Sequence, residues 1–249
     1  MTKIGIIGGS GLDNPDILQD AHDVEVETVY GSPSSPLKEG TIAGKEVAIL
    51  ARHGREHTIP PTYVNYRANI MALKGAGCDV ILATTACGSL REEIKRGDLV
   101  ILDQFIDFTR LRQVSFHERF EPNCAVHTGM ADPFDEGLRS KLNAACDALD
   151  IAHHKVGTVI TIEGSRFSTR AESNMFRLWG ADVINMSVAP ECILANEAGL
   201  PYAAVAMSTD YDCWKTDEAP VTWEEILEVF HGNVEKVVSL LIETIKALD

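Results

Sequence analysis

The chain has 249 residues, a hydrophobic fraction of 45% and a formal net charge of −15, from 22 Lys+Arg against 37 Asp+Glu. That apolar content is enough for a full core and argues against disorder. The acidic balance argues against nucleic acid, which needs a basic stripe, and against anionic membrane, yet leaves room for a small anionic substrate in a local positive pocket.

Cysteines stand at 78, 87, 124, 146, 192 and 213, with no CxxC or CxC spacing. Reduced thiols in the cytoplasm are the expectation. The start, MTKIGIIGGSG, lacks the plan of a signal peptide, and no apolar run reaches transmembrane length. No linker divides the chain, so a single domain over 1–249 is predicted; the densest loop-like stretch is YGSPSSPLKEG at 30–40.

Apolar, β-rich runs are predicted as strands at 3–8, 46–51, 79–86, 98–107, 156–164, 181–187 and 202–210. Helical spacing marks 64–77, 135–150, 170–181, 189–200 and 223–248. Strands alternating with helices predict an α/β fold with a largely parallel or mixed sheet. Ligands of such sheets bind beyond the strand ends.

Several polar motifs fall there. GGSG at 8–11 can converge backbone N–H groups, with the Ser10 hydroxyl, into an anion nest; it can equally be a plain tight turn. Asn14 occupies the position of the third glycine of a dinucleotide fingerprint, and no P-loop pattern exists. ARHGREHTIPP gathers Arg52, His53, Arg55 and His57, which suits either phosphate or a solvated basic loop. Its HxxxH spacing is interrupted by Gly54, so no metal site is predicted. TTACGSL ends a strand in small residues that let a ligand approach the backbone; Cys87 within it reads better as a buried structural thiol than as a nucleophile. In TIEGSRFSTRAES, Phe167 is either a stacking platform or a core aromatic. In NMS, Ser187 is either a phosphate hydroxyl or a helix cap before Pro190. His127 is a lone loop histidine. Asp210 and Asp212 end the last apolar run, AAVAMSTDYD, at an i, i+2 spacing that places both on one face of a strand.

The blocks IGIIGGSGL, LARHGREHTIPP, VNYRAN, TTACGSLREE, DQFID, TIEGSRFSTRAES, WGADVINMS and MSTDYDCWK together resemble the S-methyl-5′-thioadenosine phosphorylases, of the trimeric branch of the purine nucleoside phosphorylase family. The likeness runs nearly end to end. It implies a mixed, partly barrel-like sheet flanked by helices, a homotrimer, and phosphorolysis of a nucleoside by inorganic phosphate as co-substrate, without metal or organic cofactor.

The resemblance further implies roles. Ser10, Arg52, His53, Thr85 and Ser187 match the family's phosphate ligands, with backbone help at Ala86. Met186 matches the residue covering the ribose. Phe167 and Ser168 fall at the base. His127 matches a residue lent to a neighbouring subunit's site. Asp210 matches the candidate general acid at purine N7, with Asp212 accepting from the 6-amino group or sharing the proton. The 6-oxopurine enzymes carry Asn and Glu where this chain has Asp210 and Ser168, so a 6-aminopurine is expected. Two departures stand out. Ser165 replaces the usual Pro, and Trp223 falls where a smaller aliphatic residue lines the methylthio pocket, beside Ile226 and Leu227. A methylthioinosine or 6-oxopurine phosphorylase, or a non-catalytic nucleotide-binding module of the same fold, are the rival readings.

Overall fold

Ile4–Gly8 reads IGIIG, and all five residues are buried, the mark of a strand covered on both faces. The computed structural model that contains it describes residues 2–8, 17–217 and 223–248, without the side chains of 223–228, 230 and 231. In chain order the strands and helices are β1 (Ile4–Gly8), β2 (Gln19–Val24), β3 (Leu37–Ile42), β4 (Lys45–Ala51), α1 (Tyr66–Gly75), β5 (Val80–Ser89), β6 (Leu99–Ile101) and β7 (Gln104–Asp107). They continue with α2 (Glu136–Ala148), β8 (His153–His154), β9 (Thr158–Thr161), α3 (Arg170–Leu178), β10 (Val183–Asn185), α4 (Val188–Glu197), β11 (Tyr202–Tyr211) and α5 (Trp223–Lys246).

All the strands join one mixed sheet, in the order β2-β3-β4-β1-β5-β10-β9-β7. The ten-residue β5 is the branch point. Its first half pairs in parallel with β1, its end pairs antiparallel with β10, and β11 runs parallel to it from Tyr202↔Ile81 to Tyr211↔Ser89. From β11 the branch continues to β6 and then β8. This forked, mixed sheet matches the expected architecture.

Period-2 alternation sorts the strand residues onto two faces. Ile7, Leu50, Ala204 and Ala206 pack with Ile70 and Leu73 of α1 and Leu194 of α4. Ile6, Ile49, Val205 and Met207 pack with Leu138 and Leu142 of α2 and Leu240 and Leu241 of α5. The helix starts are read from local chemistry. Asn65 and Asp135 accept from the N–H groups of Ala68 and Leu138, and Thr169 with Glu172 forms a reciprocal capping box.

Two readings need correction. The run 98–107 is two strands, because Leu102 and Asp103 carry the chain from one branch of the sheet to the other: β6 pairs with β11 and β8, β7 with β9. The loop-like stretch 30–40 runs into β3, which pairs with the unforeseen β2. β2 is the polar sequence QDAHDV, mostly exposed at the sheet edge, so it carries no alternating apolar signal.

Candidate active site

The ends of β4, β5, β10 and β11 surround a cavity of about 480 Å³. Arg52 and His53 follow β4 directly. Arg52 is 1% exposed, and Glu191, 0% exposed on the first turn of α4, takes its guanidinium by both carboxylate oxygens. Nη1 donates to the Thr84 carbonyl at 2.8 Å. Among the described residues, these bonds use three of the five guanidinium N–H groups, and two remain for a ligand. Glu191 also accepts from the Tyr202 hydroxyl at 2.9 Å. The arginine charge is thus balanced from behind while its edge lines the cavity.

The imidazole of His53 donates through Nδ1 to the Ile59 carbonyl at 2.9 Å. Burial and the adjacent Arg52 charge hold its pKa down to about 3, so the ring is neutral at working pH. Thr85 and Ser187 hydroxyls lie 3.5 Å apart. Asn185 fixes both: Nδ2 donates to Thr85 Oγ1 at 3.3 Å and Oδ1 accepts from the Ser187 N–H at 3.4 Å. Thr161 Oγ1 in turn donates to Asn185 Oδ1 at 2.8 Å. Ser187 occupies the position before α4, but its hydroxyl caps nothing, so that group too is available to a ligand.

Asp210 and Asp212 stand at the opposite chemical end. β11 bulges between Ser208 and Asp210, where its register against β5 shifts by one residue. The bulge re-aims the strand end, and both acids line the cavity, although Asp212 already lies past β11. Burial pushes the Asp210 carboxyl up to about 6, against the Thr209 hydroxyl, which donates to Oδ2 at 2.8 Å, and with the help of the Asp212 charge. Ser168 Oγ donates to Asp212 Oδ2 at 2.6 Å. Gly88 faces the pair: a Cβ there would meet Asp210 Oδ1 at 3.2 Å and Ile184 Cγ2 at 3.1 Å.

Between the two ends the walls are apolar, with Ile162, Ile184 and Met186 beside Phe167 and Ser165. Phe167 is 53% exposed, so it is a lip of the cavity rather than a core aromatic. The Met186 carbonyl is held by Arg112, which also donates to the Ile162 carbonyl, Tyr66 Oη and Glu163. Glu163 accepts further from Thr62 and from the N–H groups of Arg110 and Leu111. Cys87 is buried with its thiol pushed well up by burial, which makes it structural.

The cavity therefore collects Arg52, His53, Thr85, Ala86, Phe167, Ser168, Met186, Ser187, Asp210 and Asp212. Ser10 lies outside the described residues, as do the side chains of Trp223, Ile226 and Leu227. His127 is exposed, packs edge-on against Phe120 and does not line this chain's own cavity. Arg55 turns away to pair with Asp23. Sequence reading missed Glu191, Asn185, Thr209 and Arg112. An acid in the otherwise apolar APECILA was a usable signal for Glu191; Arg112, in a loop, offered none. Among the described residues, no group of three or more His, Cys, Asp or Glu side chains is placed to hold a metal ion, and no helix is long and apolar enough to cross a membrane.

An anion end, an apolar middle and a buried acid pair define a site for a molecule with matching parts. The phosphorylase superfamily model matches residues 3–246. The S-methyl-5′-thioadenosine phosphorylase of Xenopus tropicalis is 54% identical over 247 residues, covering 98% of this chain and 88% of the relative. That of Danio rerio is 53% identical over 245 residues, with the same coverage. The methylthioadenosine phosphorylase of Schistosoma mansoni in complex with adenine superposes with a TM-score of 0.94 at 41% identity, covering 100% of this chain and 93% of that one. A mutant of the Schistosoma enzyme in complex with methylthioadenosine gives a TM-score of 0.93 at 40% identity, with the same coverage. The chain belongs to the phosphorylase superfamily and, within it, to the S-methyl-5′-thioadenosine phosphorylase family.

Proposed function

We propose that the protein catalyses phosphorolysis of S-methyl-5′-thioadenosine to adenine and 5-methylthioribose-1-phosphate, with inorganic phosphate as co-substrate. One observation carries the reading: a buried carboxyl held near pKa 6 shares a cavity with a buried arginine that keeps two N–H groups for an anion.

Phosphate sits against Arg52, His53, Thr85 and Ser187, with backbone help at Ala86. Holding it under the anomeric carbon makes attack effectively intramolecular, worth roughly 7–11 kcal/mol. Its negative charge stabilises the oxocarbenium-like transition state. Adenine is a poor leaving anion, so N7 needs a proton or a strong hydrogen bond. Asp210 supplies it, and its raised pKa keeps a usable fraction protonated near neutrality. Asp212, oriented by Ser168, accepts from the 6-amino group. Met186 covers the ribose and Phe167 stacks on the base. No metal or organic cofactor has a part in these steps.

The active assembly is a homotrimer, in which His127 on its exposed loop reaches a neighbouring subunit's site. Exposed apolar side chains on the same loop, Leu111, Phe120 and Val126, support a covered surface there. Six free cysteines fit a reducing cytoplasm.

The test is base release from methylthioadenosine, methylthioinosine, adenosine and inosine, each with and without phosphate. The expected result is adenine, fastest from methylthioadenosine and only with phosphate. Preference for methylthioinosine would overturn the base assignment, and no turnover of any would overturn the enzyme reading.

A further inference from the structure

We propose that Arg112 is a positioning residue for the sugar-facing wall of the cavity: it fixes Met186, and through Met186 the fit of the nucleoside. The inference rests on the phosphorolysis reading and deepens it.

The Arg112 side chain is 1% exposed, although it belongs to the long connection between β7 and α2. Nη1 donates to the Met186 carbonyl at 2.5 Å and to Tyr66 Oη at 2.9 Å. Nη2 donates to the Ile162 carbonyl at 3.0 Å, and Nε to Glu163 Oε2 at 3.1 Å. Four of its five N–H groups are thus committed to acceptors of its own chain. The guanidinium therefore acts on the cavity through the groups it holds.

Those groups converge on the Met186 side chain. A Cβ on Gly164 would meet Met186 Sδ at 2.9 Å and Pro61 Cγ at 3.0 Å, so thioether, proline ring and bare glycine backbone meet at one place. Each is fastened from the Arg112 side. The Met186 carbonyl takes the guanidinium directly. The Pro61 carbonyl accepts from Tyr66 Oη at 2.9 Å, and that oxygen accepts from Arg112. The Gly164 N–H donates to Thr62 Oγ1 at 3.1 Å, and Thr62 donates to Glu163, which Arg112 also bonds. Methionine is an adaptable apolar side chain that fills irregular space in many poses. Holding its backbone and walling its sulfur selects one. A misplacement of about 1 Å in a wall that positions substrate can cost on the order of 100-fold. The anion end is fastened by other groups: Glu191 and the Thr84 carbonyl hold Arg52, and Asn185 holds Thr85 and Ser187. Loosening Arg112 is therefore felt by the nucleoside far more than by phosphate.

The test is steady-state kinetics of the wild type, Arg112→Lys and Tyr66→Phe, with methylthioadenosine and phosphate each varied at saturating co-substrate. Arg112→Lys keeps the charge but cannot span four acceptors, and the nucleoside KM is expected to rise ~10-fold or more, with the phosphate KM within about twofold. Tyr66→Phe keeps the ring and removes only the link to Pro61, so a rise of about threefold in the nucleoside KM alone is expected. If Arg112→Lys does not fold, Tyr66→Phe decides. A phosphate KM that rises in step with the nucleoside KM overturns the proposal, as does an unchanged nucleoside KM in Tyr66→Phe. Carbon NMR of the Met186 methyl reads the same wall without turnover: a resonance shifted in Tyr66→Phe supports the proposal, and one that keeps its wild-type position overturns it. Failure of the wild type to release adenine with phosphate overturns the phosphorolysis reading itself, a distinct outcome.

Discussion

Glu191 holds Arg52 by both carboxylate oxygens in a pair that is 0% and 1% exposed, and so turns a buried cation into a fixed wall of the cavity. Removing the acid leaves the guanidinium buried and unpaired. Glu191→Ala is expected to cost ~3–5 kcal/mol of stability. It should raise the phosphate KM about tenfold or more, with less effect on the nucleoside KM, since the guanidinium that Glu191 holds in place is the group facing the anion. Thermal melts and a KM comparison at saturating co-substrate check this; equal rises in both KM values would contradict it.

Asp210 couples stability to pH in a direction opposite to most carboxylates. Its folded pKa of about 6 lies above the ordinary 3.8, so the folded protein keeps the proton to higher pH than the unfolded chain. The stability linked to this group is present in full below about 4 and is lost as pH rises through about 6. Asp210→Asn stays neutral and can still accept from Thr209. Its melting temperature relative to the wild type should climb between those pH values, while turnover of methylthioadenosine falls by ~10²–10⁴. Parallel melting curves across the series would count against the assignment.

Gly88 is where the backbone makes room for the acid pair. Gly88→Ala would push a methyl to within 3.2 Å of Asp210 Oδ1 and 3.4 Å of Asp212 Cβ, with Ile184 behind it. The expected result is a loss of ~1–3 kcal/mol and a fall in kcat, with the phosphate KM nearly unchanged. A phosphate KM that moves as much as kcat would place the damage elsewhere.

Glu163 ties the loop at 110–112 to the cavity wall. Burial pushes its carboxyl up, but bonds from Thr62, two backbone N–H groups and Arg112 outweigh this and hold it at about 2. Its stabilisation is therefore present above about 4.5 and lost as pH falls through about 2. Glu163→Gln should cost ~1–3 kcal/mol at neutral pH, and the gap to the wild type should narrow in acid. Melts at several pH values decide it, and a gap independent of pH would show that charge plays no part.

Much of the site was legible because its chemistry is local. ARHG, TTAC, NMS and STDYD each end an apolar run and each deliver a residue to the cavity. The groups that set those residues' states were not legible. Glu191 is 139 positions from Arg52, and Arg112 is 74 from Met186. Nothing in local pattern encodes such pairs.

The sequence by itself determined an α/β chain with the α-helices α1 to α5 of the described residues, the strands with apolar faces and the residue types of an anion site and an acid pair, because periodicity, caps and motifs act over a few residues. Tertiary structure decided the rest. The fork at β5, the polar edge strand β2 and the split of 98–107 follow from pairing between distant segments. The raised pKa of Asp210 and the neutral ring of His53 are products of burial, which no stretch of sequence possesses until the chain has packed around it.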